Sequence, residues 1–438
     1  MKISLLFSVL SVCILICIAS SVHADIGWTE HTIRTGYAMP WSVHVIDLDD
    51  DGDQDVIGSA RLGNYITWWE NDGTEFFTEH TIDDTANGAM HLYAADFDYD
   101  GDIDITCALQ FLNQIAWWEN DGSENFTKHV IGVWDNVTYT YAEDVNSDGY
   151  IDILAAACEA DPGMMGWFEN DGAGNFTEHV VIAAWDNVNC VHAADVNSDD
   201  HMDLLGSASQ AHEVAWFQND GNENFTKINI VENWGRPSSV FGVDLDQDTD
   251  TDVIVTTCYP LNQIVWFEND GTQGFTQHTI GAGLFRPHCA LPEDMDDDDD
   301  LDVVGAIIDN DEISWWENNG SQYFTKHVIT NSFDGASDIY IEDLDDDGDF
   351  DIVGAAQFGN RIAWWESDFT GIAEYEDPLE HNNRTGTTIY AHPSFLPNDG
   401  THVYYNTAGK QVAQKDISSG VYFVVRQDKE VQKIIIMQ

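Results

Sequence analysis

Basic residues are nearly absent from this chain. It carries 15 lysines and arginines against 79 aspartates and glutamates in 438 residues, a formal net charge of −64. Such a surface repels polyanions, which excludes nucleic acid and anionic membranes as partners. Long apolar runs are also missing beyond Ile3–Ala19, so nothing further along is able to span a bilayer as a helix. That one run belongs to a secretory signal over residues 1–24, with Lys2 as its positive start and Val22 to Ala24 as a small-residue cleavage site. Val12 and Ile16 precede Cys13 and Cys17, which argues against a lipoprotein, and no membrane insertion is expected once the signal is removed. Cysteine is sparse: five remain after cleavage, at positions 107, 158, 190, 258 and 289. No nucleophile motif, paired-carboxylate site or histidine-rich metal site is recognisable, so the sequence assigns no catalytic residue.

What the chain has in excess is one acidic phrase. Asp47-Leu-Asp49-Asp-Asp51-Gly52-Asp53-Gln-Asp55 has the pattern D-x-D-x-D-G-D-x-D, and it recurs from Asp96, Asp144, Asp195, Asp244, Asp294 and Asp343. The steps between starts are 49, 48, 51, 49, 50 and 49 residues, a period that marks a repeat architecture. These seven loops hold 36 of the 79 acids. Two carboxylates about 4 Å apart repel by roughly 4 kcal/mol at an effective dielectric of 20, so such loops call for a cation. Ca2+ takes six to eight oxygens at roughly 2.3–2.6 Å in a tolerant geometry. Alternate positions supply them: Asp47, Asp49, Asp51 and Asp55; Asp96, Asp98, Asp100 and Asp104; Asp144, Asn146, Asp148 and Asp152; Asp195, Asn197, Asp199 and Asp203; Asp244, Asp246, Asp248 and Asp252; Asp294, Asp296, Asp298 and Asp302; Asp343, Asp345, Asp347 and Asp351. The last Asp of each set is expected to bind with both oxygens. Seven such ions would raise the net charge from −64 to about −50. The sixth position needs a sharp turn, which Gly52, Gly101, Gly149 and Gly348 make without steric cost. Thr249 takes that place in the fifth loop and tolerates it poorly, so the fifth loop is expected to be the weakest site.

Each repeat spells four strands. In the first, Val43–Ile46 enters the loop, Asp55–Ala60 leaves it, an aromatic strand runs Ile66–Asn71, and Phe77–Ile82 follows an Asn-Asp-Gly turn. Such turns between strands are a strong hairpin sign. Seven four-stranded units of about 49 residues predict an all-β, seven-bladed propeller. The aromatic strand occurs seven times, at Trp68, Trp117, Trp167, Trp216, Trp266, Trp315 and Trp364. The fourth-strand pattern is missing after Trp364 but stands at the start of the mature chain, as Trp28-Thr-Glu-His31-Thr-Ile33. The N-terminal strand is therefore expected to complete the last blade and close the ring. On these motifs residues 25–370 resemble the FG-GAP/VCBS-like repeats of integrin α-subunits and bacterial secreted proteins. The resemblance implies a propeller with structural calcium sites on one face, and it says little about activity.

The period stops at Gly371. Residues 371–385 read as a linker, and 386–438 as a small β-sandwich-like domain with strands within Asn406–Val412, Asp416–Val424 and Val431–Met437. This tail resembles the C-terminal sorting domain of the type IX secretion system of Bacteroidetes. That would imply export across the outer membrane to the cell surface or medium, with the secretion machinery as a partner.

Strand direction alternates, so the loops fall on two faces. The acidic loops and Asn-Asp-Gly turns share one; the links between blades share the other. Unusual residues collect in those links: Trp41, Trp134, Trp185 and Trp234, with Arg236, Arg286 and His288 nearby. Exposed indoles stack on sugars and arginine neutralises a carboxylate, so these seven are the candidate ligand-binding residues, with inter-blade packing as the alternative for the indoles. The row His44, Tyr93, Tyr141, His192, Phe241, Leu291 and Tyr340 is read as inner-strand packing, and the fourth-strand histidines as packing or hydrogen-bonding groups. Cysteine placement suggests two inter-blade disulfides, 158–190 and 258–289, which an extracellular compartment permits. The expected function is an extracellular binding or adhesion module for a glycan or surface protein. The alternative is a polysaccharide lyase or hydrolase working at the link face.

Overall fold

The structure is a computed structural model that describes residues 26–158 and 163–368, together with five short strands between 388 and 436. Ile26–Phe369 forms one compact unit built of seven antiparallel four-stranded sheets. The first blade runs Pro40–Ile46, Asp55–Ala60, Tyr65–Asn71 and Phe77–Asp83. The seventh runs Ala336–Glu342, Asp351–Ala356 and Arg361–Ser367, and Trp28–Thr35 is its fourth strand. The closing register pairs Trp28 with Ser367, His31 with Trp364 and Thr35 with Arg361. The ring is thus sealed by the N-terminal strand, as the displaced fourth-strand pattern predicts.

Burial along each strand follows from its place in the blade. All six residues of Asp55–Ala60 are buried, because a strand flanked by a neighbouring blade on either face has no solvent side and reads as a continuous apolar run. Phe77–Asp83, at the outer edge, has no fully buried residue. The tryptophan pairs wedge the gaps between blades. Trp68 of the first blade packs in one cluster with Trp118 of the second, whereas Trp69 packs with Trp364 of the seventh. A buried indole removes roughly 150–250 Å² from water, worth about 4–6 kcal/mol of transfer free energy.

Outside that wedge, fourth-strand histidines stack on the same indoles: His179 on Trp167 at 4.5 Å and His31 on Trp364 at 4.5 Å. Each also bonds a glutamate diagonally opposite, as His179 does Glu169 at 2.8 Å. Cross-strand pairs of this kind contribute about 0.2–1 kcal/mol, so the wedge dominates. Ile228 replaces the histidine opposite Trp216 in the fourth blade, which shows the pair to be dispensable.

The tail strands, Thr388–Ala391, Val403–Asn406, Gln411–Val412, Gly420–Val425 and Val431–Ile436, form a five-stranded sheet with the first and last paired in parallel. The signal over 1–24 and the linker over 371–385 lie outside the described residues.

Candidate functional site

Two sets of residues lie at opposite ends of the blades. The first is the acidic loops. Asp47 turns both oxygens inward: Oδ1 accepts the Asp51 N–H at 3.1 Å and Oδ2 the Gly52 N–H at 3.0 Å. Asp49 and Asp51 accept from Asp51 and Asp53 in turn, at 3.3 and 3.0 Å. Backbone donors thus fix the carboxylates at alternate positions. The ninth residue does more than the sequence indicates. Asp55 is fully buried; its Oδ2 accepts the Leu48 N–H at 3.1 Å and its Oδ1 the Asn71 N–H at 2.8 Å. The same staple from loop to third strand recurs at Asp104, Asp152, Asp203, Asp252, Asp302 and Asp351. The clue was available: the ninth position is Asp in all seven loops, whereas the third and sixth vary.

The sixth position is left-handed throughout, with φ of +100° at Gly52 and +82° at Thr249. A β-branched residue there is strained, in keeping with the low rank of the fifth loop. The fourth position is left-handed as well, at Asp50, Tyr99, Ser147, Ser198, Gln247, Asp297 and Asp346, which the pattern does not announce.

These residues fit a hard divalent cation. Carboxylate oxygens of Asp47, Asp49 and Asp55 lie within 4.8 Å of one another, as do those of Asp96, Asp98 and Asp104 and of Asp244, Asp246 and Asp248. Buried Oδ1 atoms of Asp96, Asp246 and Asp296 have no hydrogen-bond partner, an arrangement that costs free energy until something positive fills it. Burial pushes the carboxyls of Asp55, Asp104, Asp302 and Asp351 up to about 8, and those of Asp152, Asp203 and Asp252 up to about 7.

The second set surrounds a cavity of about 460 Å³ at the link end of the central channel. Its wall is the row five residues before each loop, contributing His91, Tyr139, Ser239, Cys289 and Asp338, joined by link residues that include Trp41, Arg61, Arg236, Arg286 and His288. Next along the same strands lies an aromatic arc. Tyr340, His44, Tyr93, Tyr141, His192 and Phe241 touch in succession, with centroids 4.1–5.1 Å apart. Burial lowers His44 and His192 to about 3, so this floor is neutral packing, as expected of that row. In the wall, His91 donates from Nδ1 to the Thr140 carbonyl at 2.8 Å and His288 to that of Ser337 at 2.7 Å. A carbonyl only accepts, so the Nε2 lone pair of each imidazole is left available. Burial lowers both to about 4.

The seven ligand candidates divide. Trp41, Arg236, Arg286 and His288 come together at the cavity, while Trp134, Trp185 and Trp234 do not. Trp134 and Trp185 are 3% exposed, and their Nε1 groups donate to Glu178 at 2.7 Å and Glu213 at 2.6 Å. Trp234 is half-buried, 5.5 Å from Phe267. Trp134 and Trp185 are thus driven into the gaps between blades, and the expectation of exposed stacking indoles is corrected for these two. Sequence reasoning missed Arg61, Thr138, Asn187 and Tyr259: Thr138 joins the cavity from a first strand and the other three from links.

The disulfides are corrected too: Cys190, Cys258 and Cys289 are free thiols, so neither expected pair is formed. Adjacent side chains on a strand face opposite neighbours. Cys190 lies 3.6 Å from the Val240 carbonyl of the following blade and also meets Tyr139 of the preceding one. Cys258 lies 3.8 Å from the Pro287 carbonyl, whereas Cys289 turns to Asp338 of the seventh blade.

The FG-GAP-like repeat family matches residues 47–107, 144–206 and 244–305. The chain is therefore a seven-bladed β-propeller, three stretches of which match FG-GAP-like repeats. A search of curated proteins finds no match. Among solved structures, BBS1N in complex with ARL6DN, from mercury- and lead-soaked crystals, superposes with a TM-score of 0.55 at 10% identity, covering 77% of this chain and 95% of that one. At that identity the likeness concerns the fold.

Proposed function

We propose that the mature chain is a calcium-stabilised binding module that works outside the cell, taking a glycan or a surface protein at its link face. A propeller with FG-GAP-like repeats suits a binding or adhesion role. One observation carries the choice of face. The propeller has only eight lysines and arginines between residues 26 and 368, and three of them, Arg61, Arg236 and Arg286, line this cavity. The opposite end holds the carboxylates, which suit calcium and not an organic ligand. Export by the signal over 1–24 and a type IX sorting tail belongs to the same proposal. The test is a glycan and surface-protein array with the calcium-loaded chain, repeated with Tyr259→Ala and Arg286→Ala. Binding lost in both variants supports the link face; binding that survives both refutes it.

The lyase or hydrolase reading rests on His91 and His288, whose free Nε2 atoms face the cavity wall as candidate bases. Unsaturated products or new reducing ends from acidic polysaccharides would establish it, and binding without turnover would set it aside.

A further inference from the structure

Charge and unsatisfied polarity coincide in the cavity. Its charged lining is three arginines against one carboxyl, Asp338. Asp338 is 7% exposed and accepts the Val43 N–H at 3.2 Å, so it is occupied by its own fold. Arg236 is exposed and has no ion pair among the described residues. Arg286 pairs with Asp309 at 3.0 Å, but both side chains are more than 40% exposed, and such a surface pair is worth about 0–1 kcal/mol. A ligand carboxylate can displace it. Planar guanidinium groups suit a carboxylate through two parallel hydrogen bonds. The cavity is thus a cation-rich concavity in a chain of net charge −64.

An anion alone does not complete it. Thr138, 6% exposed, and Asn187, 9% exposed, both line the cavity, and the Oγ1 of one and the Oδ1 of the other have no hydrogen-bond partner. The Asn187 carbonyl oxygen only accepts, so a carboxylate, sulfate or phosphate cannot satisfy it. An O–H or N–H donor satisfies it, and a hydroxyl on the same ligand supplies one. At the rim, Tyr259 is 74% exposed and offers an open ring face. The volume of about 460 Å³ lies in the range of small-ligand sites. We infer that the channel-mouth cavity binds a sugar acid, with the carboxylate held by Arg236 and Arg286 and the hydroxyls reaching Thr138 and Asn187. This inference deepens the binding reading above and rests on it.

The test is calorimetric titration of the full mature chain, in calcium-containing buffer, with galacturonate. Galactose serves as the control with hydroxyls but no carboxylate, and acetate as the control with carboxylate but no hydroxyls. Galacturonate is expected to bind at least ten-fold more tightly than either, and more weakly as salt rises. Arg236→Ala, at an exposed position, should weaken it at least ten-fold without moving the melting temperature. Thr138→Val should weaken galacturonate and leave acetate unchanged. Equal affinity for galactose, no galacturonate binding at millimolar concentration, or an Arg236→Ala variant with full affinity would overturn the inference. If a neutral glycan or a protein binds and is lost with Tyr259→Ala, the face assignment stands while the sugar-acid inference falls. If link-face variants change no binding at all, both fall.

Discussion

Chelation should invert the usual dependence of stability on pH. Asp55, Asp104, Asp302 and Asp351 are at most 1% exposed, and burial raises their carboxyls to about 8. In the unfolded chain the same groups titrate near 3.9. The folded protein without metal therefore keeps protons that the unfolded chain has released, and its stability falls as pH rises through the folded value. Between pH 6.5 and 8 each group spans about 1.5 pH units at 1.36 kcal/mol per unit, or about 2 kcal/mol, as a ceiling if the loop stays dry. The window begins at 6.5 for a reason. His44, His91, His192 and His288 are lowered to about 3–4, so their destabilising protonation of the unfolded chain sets in only below the ordinary histidine value. On the proposed calcium reading the ion would replace the proton, and at one hundred times a site's dissociation constant it would add about 2.7 kcal/mol per site. Scanning calorimetry in EDTA at pH 6.5 and 8 should show the higher melting temperature at 6.5, with calcium raising both and narrowing the gap. Asp302→Asn should shrink the gap by less than a quarter, because Asp152, Asp203 and Asp252, raised to about 7, also lose their protons in this window. A chelated protein equally stable at pH 6.5 and 8, or unaffected by calcium, would refute the reasoning.

Three further outcomes follow from the packing. Trp185→Ala should cost about 3–5 kcal/mol in denaturant melts, whereas His179→Ile, which copies Ile228 of the fourth blade, should cost under about 1 kcal/mol; equal losses would contradict the ranking of wedge over edge. Deleting residues 26–35 leaves the strand of Trp364 unpaired, so the shortened chain should melt lower and regain stability when a peptide of that sequence is added; an unchanged melt would deny ring closure. Unfolding without reductant in iodoacetamide should alkylate all five cysteines at 107, 158, 190, 258 and 289, and any linked pair recovered on peptide mapping would restore the disulfide expectation.

The repeat made much of the architecture legible. Seven acidic phrases at a near-constant step place seven hairpins, and the strand around His31, missing after Trp364, locates the seam. Periodic features are legible because each repeats its own local chemistry: Gly52 takes a left-handed turn wherever its counterparts do, and Asp55 is buried in every blade. The candidate site is different, since it is built where the repeats diverge. Trp134 and Trp185 look like Trp41 in sequence, yet two are buried and one lines the cavity.

Local residue pattern therefore determined the fold class, the blade number, the closing strand and the carboxylate sets, all of which depend on spacing within one repeat. Tertiary structure alone decided which link side chains face the channel and which fill the gaps, which neighbour each cysteine meets, and that Arg61, Arg236 and Arg286 converge though far apart in the chain. The physical reason is that a side chain's direction at a blade junction is set by the volume its neighbours leave, and those neighbours are brought there only by closure of the ring.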